Sequence, residues 1–236
     1  MSDPGPVPLL EYPSWHDEGG APTPATPAWG TGGAGTAGSS TNLLTTDQAT
    51  TLFDNMKALT HVPFDFPDDG CYARAHEMYR KMQEQGIESG KAWNYGRDFE
   101  SGSPTLTVTT SHHPDGSVSW RYHVAPVVWV QGADGSPTRM VIDPSVHDGP
   151  VSPEDWKKAQ SDTESRLEFS DGKPFYKTPD ALPDGTPTTP AVQYDNDYKK
   201  TEETLKEKAE ERDERKANHP ELFPDSSGSS DAGSSH

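Results

Sequence analysis

The chain has 236 residues, 30% of them hydrophobic, and 38 acidic against 20 basic side chains give a formal net charge of −18. That acidity opposes approach to nucleic-acid phosphates and anionic membranes, and no run nears the roughly 18 apolar residues a membrane span needs, so neither is expected as a partner. A single cysteine excludes an internal disulfide and is compatible with a reducing compartment.

Residues 1–42, ending in "WGTGGAGTAGSSTN", are rich in Pro, Gly and Ser and read as a disordered leader, because they offer too little apolar surface to offset their conformational entropy. The opening "MSDPGPVPLLEYPSWHDEGG" lacks the basic start and apolar core of a classical signal peptide. The protein is therefore expected to be cytoplasmic as synthesised, with export or injection by a specialised secretion system as the other route. Tyr198 and Glu202 form a Tyr-x-x-x-Glu pattern used in one such route, a pattern that also arises often by chance.

From Leu43 the texture changes, and residues 43–205 are taken as one domain. "TTDQATTLFDNMKAL" predicts an amphipathic helix, with Thr46 or Asp47 as N-cap and Leu52, Phe53, Met56 and Leu59 at helical spacing. Pro63 and Pro67 end it. "CYARAHEMYRKMQEQG" predicts the strongest helix, with Tyr72, Ala75, Met78, Tyr79 and Met82 on one face and Gly86 as its stop. "KAWNYG", "TLTVTT", "VSWRYHVAPVVWVQ" and "RMVIDPSV" predict strands joined through the turns "HPDGS" and "GADGSP". In "SPEDWKKAQ", Ser152 as N-cap and Pro153 at the first position predict a short helix. Residues 172–190, punctuated by prolines, are expected to wrap the surface. "DNDYKKTEETLKEKAEERDERKA" has Glu/Lys pairs but almost no apolar stripe beyond Tyr198 and Leu205, so its second half is expected to be a solvated helix that does no chemistry. Residues 206–236 then read as charged helix and disordered Ser/Gly tail.

The chemistry centres on "DDGCYARAH", where Cys71 opens the strong helix after an acidic, glycine-bearing turn. A cysteine attacks as thiolate, the form that a helix N-terminus and a nearby imidazolium favour. A buried, inert thiol is the alternative for any lone cysteine. Nine histidines compete to be its base. His76 lies five positions on, about 140° around the helix, and reads as a packing or substrate-side residue. His123, between Tyr122 and Val124 in the most hydrophobic strand, needs a hydrogen-bonding task to be there. Asp143 ends the apolar run "MVIDPS" at Pro144; it either caps that turn or serves the histidine. If the two strands are neighbours, Asp143 accepts from one imidazole nitrogen while the other faces the helix start, which is a Cys-His-Asp triad.

At these residues the sequence resembles the bacterial protein-glutaminases, which deamidate glutamine side chains in proteins. The resemblance lies in "DGCYARAH", "SWRYHVA" and "IDPS", in that order, with "PVSPEDW" and more weakly "YDNDY" after them, and covers about Leu43 to Leu205. It implies an α+β fold in which a helix packs on an antiparallel sheet, similar to the transglutaminase and papain-like core. It implies Cys71 as nucleophile, His123 as general base and acid, and Asp143 as its orienter. Trp120 and Tyr122, flanking the histidine motif, are candidates to line the glutamine pocket beside His76. No metal and no organic cofactor are implied. The substrate implied is a protein or peptide with an accessible glutamine. With no signal-like segment, an injected effector or toxin is expected, with a secretion carrier or immunity protein as its further partner. The rival readings are acyl transfer to an amine, peptide-bond cleavage, and a catalytically idle binding module.

Overall fold

The computed structural model describes residues 43–223; the expected leader of residues 1–42 and the Ser/Gly tail beyond residue 223 lie outside them. Helix α1 (Thr46–Lys57) is capped by Thr45, whose side chain accepts from the Gln48 N–H while the Gln48 side chain accepts from the Thr45 N–H. The cap is thus one residue earlier than the expected Thr46 or Asp47, because only Thr45 has glutamine three positions on to complete the reciprocal pair. Helix α2 (Cys71–Glu84) ends where Gly86 takes a left-handed conformation (φ +69) and the Ile87 N–H bonds the Met82 carbonyl.

The central sheet is antiparallel in the order β5-β4-β1-β6, formed by β1 (Gly90–Tyr95), β4 (Tyr122–Gln131), β5 (Pro137–Val141) and β6 (Arg166–Asp171). Side chains alternate across β4. Val128 and Val130 meet Leu52, Phe53 and Met56 of α1 and Met78 and Met82 of α2, while Ala125 and Val127 meet Trp156 of α3 (Pro153–Ala159) on the other face. This is the expected α+β arrangement of helix on antiparallel sheet. Ser152 caps α3 by accepting from the Asp155 N–H, with Pro153 in its first turn, as the sequence predicts.

Four expectations change. "VSWRYHVAPVVWVQ" is two strands: the chain breaks at Arg121, whose carbonyl accepts from the Gly96 N–H, so β3 (Ser117–Trp120) pairs with β2 (Leu106–Thr109) in a separate ribbon. Within residues 172–190, expected to wrap the surface, the chain forms β7 (Pro174–Lys177), which pairs in a ribbon with β8 (Val192–Tyr194) just beyond, and β6 just before it is an edge strand of the main sheet. β8 is exposed along its length and is held by backbone pairing that leaves no hydrophobic pattern. Helix α2 is buried around most of its girth, including Arg74, His76 and Glu77, because α4 (Lys199–Asn218) covers the side away from the sheet. The second half of α4 is docked, with Lys208 buried and Arg212 and Arg215 half-buried. The Tyr-x-x-x-Glu residues serve this docking: the Tyr198 ring lies over His76 and under Arg80, and Glu202 pairs with Arg80 at 2.9 Å. Among the described residues no helix is long and apolar enough to cross a membrane.

Gly172, between β6 and β7, leaves no room for a side chain, since a Cβ there would strike the Tyr79 ring and lie 2.7 Å from the Ser89 carbonyl. Gly172→Ala is expected to lower stability by about 1–3 kcal/mol through overpacking, read as a lower midpoint in urea unfolding with an unchanged slope.

Candidate active site

Register brings the histidine and aspartate together. Val141 of β5 lies opposite Val127 of β4, and the Ile142 N–H still bonds the Pro126 carbonyl before β5 leaves the ladder. Continued by two residues, the register puts Asp143 diagonal to His123 on the face that carries Val127 and Trp156. Pro126 is tolerated in this central strand because its nitrogen faces the same side as its carbonyl, where β5 is departing, and not β1.

The pair is tight and dry. His123 is 1% exposed and Asp143 3%. The ring Nε2–H donates to Asp143 Oδ2 at 2.7 Å, the Trp156 Nε1–H donates to the same oxygen at 2.8 Å, and the Ser145 N–H donates to Oδ1 at 3.1 Å. Asp143 therefore both caps the turn at Pro144 and fixes the histidine; the two readings of it are compatible because they use different oxygens. The imidazole stacks with Trp120, 4.5 Å between centroids at 11°, and with Trp156, 5.4 Å at 27°. Its other nitrogen, Nδ1, is buried without a hydrogen-bond partner in the resting geometry, yet Cys71 is close enough to favour the protonated ring.

Burial opposes charge on His123, but Asp143 and then Cys71 outweigh it and raise the ring to about 9. Burial alone would push the Asp143 carboxyl up; the His123 ring, hydrogen bonds from His123 and Trp156, and the Arg74 charge hold it below the usual carboxylate range.

Cys71, 5% exposed, is the first residue of α2. Gly70 before it is left-handed (φ +80), so no side chain caps the helix there. The Gly70 carbonyl takes the Ala73 and Arg74 N–H groups, and the N–H groups at the very start of the helix are the ones left to meet negative charge. The turn before Cys71 is pinned from inside: Arg74 Nη1 donates to the Phe66 and Asp69 carbonyls at 3.1 and 2.6 Å, and Trp120 Nε1 donates to the Pro67 and Asp68 carbonyls at 2.9 and 3.1 Å.

The structure thus groups Cys71, His123, Asp143 and Trp120. Trp120 is buried and backs the histidine. Tyr122 is half-buried and packs with Tyr72 on the cluster that includes Cys71. His76 faces elsewhere: its Nδ1 accepts from Lys91 Nζ at 2.9 Å, its Nε2–H meets the Asp195 carbonyl at 3.2 Å, and Phe175 and Tyr198 enclose the ring. Of its two readings, packing is the one this position fits, since burial and then Lys91 lower its ring to about 4 and keep it neutral. Trp156 and Arg74 were missed as site residues; each lay inside a quoted motif, but a ring N–H aimed at a carboxylate has no local signal. Among the described residues no group of three or more His, Cys, Asp or Glu side chains converges as a metal site.

A folded-state value of about 9 for His123, above about 6.5 for an exposed histidine, means its stabilising contribution is complete below pH 6.5 and lost as pH rises through 9. The difference in Tm between the wild type and His123→Gln is expected to shrink over that range. Taking the difference removes buried Lys91, lowered to about 7 by burial, whose contribution has the opposite sign.

A family profile described as glutaminase matches residues 49–160, the stretch that holds Cys71, His123 and Asp143. No curated protein matches the chain significantly. Among solved structures, a crystal structure of protein-glutaminase is 26% identical with a TM-score of 0.54, covering 69% of this chain and 86% of its own. The NMR structure of protein-glutaminase from Chryseobacterium proteolyticum is 25% identical with a TM-score of 0.55, covering 80% and 93%. A crystal structure of pro-protein-glutaminase is 27% identical with a TM-score of 0.51, covering 72% and 61%.

Proposed function

Given that the chain belongs to the protein-glutaminase family, we propose that it hydrolyses the side-chain amide of glutamine in proteins, with Cys71 as nucleophile, His123 as general acid and base, and Asp143 as orienter. The observation that carries this reading is the buried His123–Asp143 hydrogen bond beside the only thiol in the chain, at a helix N-terminus.

In the first half-reaction the Cys71 thiolate adds to the carboxamide carbon, and the oxyanion that forms is met by N–H groups at the start of α2, that of Cys71 among them. The imidazolium gives its Nδ1 proton to the amide nitrogen, the C–N bond breaks, and ammonia leaves a thioester. Water then adds to the thioester carbon while Nδ1 takes its proton; the C–S bond breaks, glutamate is released and the thiolate returns. Asp143 holds the ring with Nε2 protonated, so that Nδ1 is the nitrogen that exchanges the proton in both steps. Tyr122 and Tyr72 flank the thiol on the half-buried side and are the side chains this reading assigns to the glutamine slot. In an effector or toxin, the change from a neutral side chain to a carboxylate would be enough to break an interface of the target without cleavage.

The deciding measurement is ammonia release from glutamine-containing peptides and proteins, with mass spectrometry of the product, in the presence and absence of a primary amine. Glutamate formed by the wild type in both conditions and not by Cys71→Ala is the expected result. An amine adduct would make the chain an acyltransferase, and no product from any substrate would overturn the catalytic reading. Trp156→Phe, which keeps the ring and removes the donor to Asp143, is expected to lower kcat about tenfold with little change in KM, the scale of one hydrogen bond to a charged group.

A further inference from the structure

The turn that delivers Cys71 is also held from outside, by a helix far along the chain. Arg215 of α4 grips Asp68 with both ends of its guanidinium, Nη1 to Oδ1 at 2.8 Å and Nη2 to Oδ2 at 2.6 Å, across 147 residues of sequence. The same guanidinium lies over the Phe66 ring at 4.3 Å and donates to the His112 carbonyl at 3.3 Å, while His113 Nε2 comes within 3.5 Å of Asp68. On Asp68 three elements therefore meet: the nucleophile turn, the β2–β3 hairpin and α4. Lys216 reaches Asp65 at 2.9 Å, Arg212 reaches it at 3.6 Å, and Lys208 approaches Asp69 at 3.7 Å. A Cβ at Gly70 would come within 3.1 Å of the Lys208 side chain and 3.7 Å of the Thr204 side chain.

An isolated surface ion pair contributes little. This one differs in geometry and setting: it is bidentate, both side chains are largely shielded (17% and 24% exposed), and it belongs to a network. Its placement has an electrostatic consequence too. Asp65, Asp68 and Asp69 lie within six residues of Cys71 and would oppose an anion there; the cations of α4 face all three.

We propose that α4 is a clip on the nucleophile turn, and that Arg215, through Asp68, is a positioning residue that sets the orientation and reactivity of the Cys71 thiol. The inference rests on Cys71 being the nucleophile, but its test needs no substrate.

Because Cys71 is the only cysteine, its alkylation by iodoacetamide, followed by mass spectrometry of the intact full chain across pH 5–9, reports thiol reactivity directly. Arg215→Ala is expected to slow alkylation at neutral pH by about tenfold, Asp68→Asn by less because it also removes a negative charge near the thiol, and the double variant no more than Arg215→Ala alone, as for partners in one interaction. Arg215→Lys should restore part of the rate, and Lys206→Ala, on the exposed side of α4, should leave it unchanged. Tm and circular dichroism exclude simple unfolding; if Arg215→Ala does not fold, Asp68→Asn and Arg215→Lys carry the comparison. Folded variants that alkylate at the wild-type rate would overturn the clip. Loss of alkylation in a chain that releases no ammonia would keep the clip and sink the catalytic reading instead.

Discussion

A histidine and a carboxylate buried together on one face of the sheet are the constraint around which the other elements are arranged. Removing both charges from water is unfavourable by several kcal/mol each, and their attraction offsets this only if the remaining lone pairs are also satisfied. Here they are. Asp143 receives His123, Trp156 and the Ser145 N–H, and each donor comes from a different piece of structure. Helix α3 has to dock for Trp156 to arrive, and β5 has to leave its ladder at Ile142 for the carboxylate to turn toward His123. Trp120 stacks on the ring and binds the turn before Cys71, so one side chain couples the histidine to the approach of the thiol.

The same demand shapes α2. A helix that holds a buried thiol at its first residue needs a fixed N-terminus, and this one is enclosed on several sides. Its buried polar side chains each have partners: Arg74 serves the turn before Cys71, though its Nη2 is left without a hydrogen bond, Glu77 takes Arg80 and His61, and His76 is held by Lys91 and the Asp195 carbonyl. Partnered polar groups inside a core specify one arrangement, because any shift leaves a charge or an N–H without a partner in low dielectric. That specificity lets a thiol be held close to a ring whose Nδ1 is still free to bind it.

Helix α4 shows how a strongly acidic chain manages its own repulsion. It has the composition of a solvated helix, yet its cations are spaced to meet the aspartates of the turn before Cys71 and its Leu205 reaches Val62, Ala73 and Phe175. Amphipathicity is here carried by charge and not by hydrophobic periodicity, which is why a search for an apolar stripe overlooks the docked face.

The sequence by itself determined the elements whose causes are local. The periodicity and glycine stop of α2, the Ser152–Pro153 start of α3 and the alternating strands were legible because propensity, capping and turn chemistry act within a few residues. The three motifs around Cys71, His123 and Asp143 were legible for a related reason: a thiol at a helix start, a histidine in an apolar strand and an acid at a strand end are each unusual where they stand. Tertiary structure alone decided what depends on partners far away in the chain. It broke the long strand at Arg121, because β3 finds β2 while β4 finds β1; it recruited β6 and β8 through backbone pairing; it turned His76 toward Lys91 and away from the thiol. It also gave Trp156 to Asp143 and Arg215 to Asp68, since a hydrogen bond or an ion pair between distant residues leaves no period in the sequence and exists only once folding has brought its two ends together.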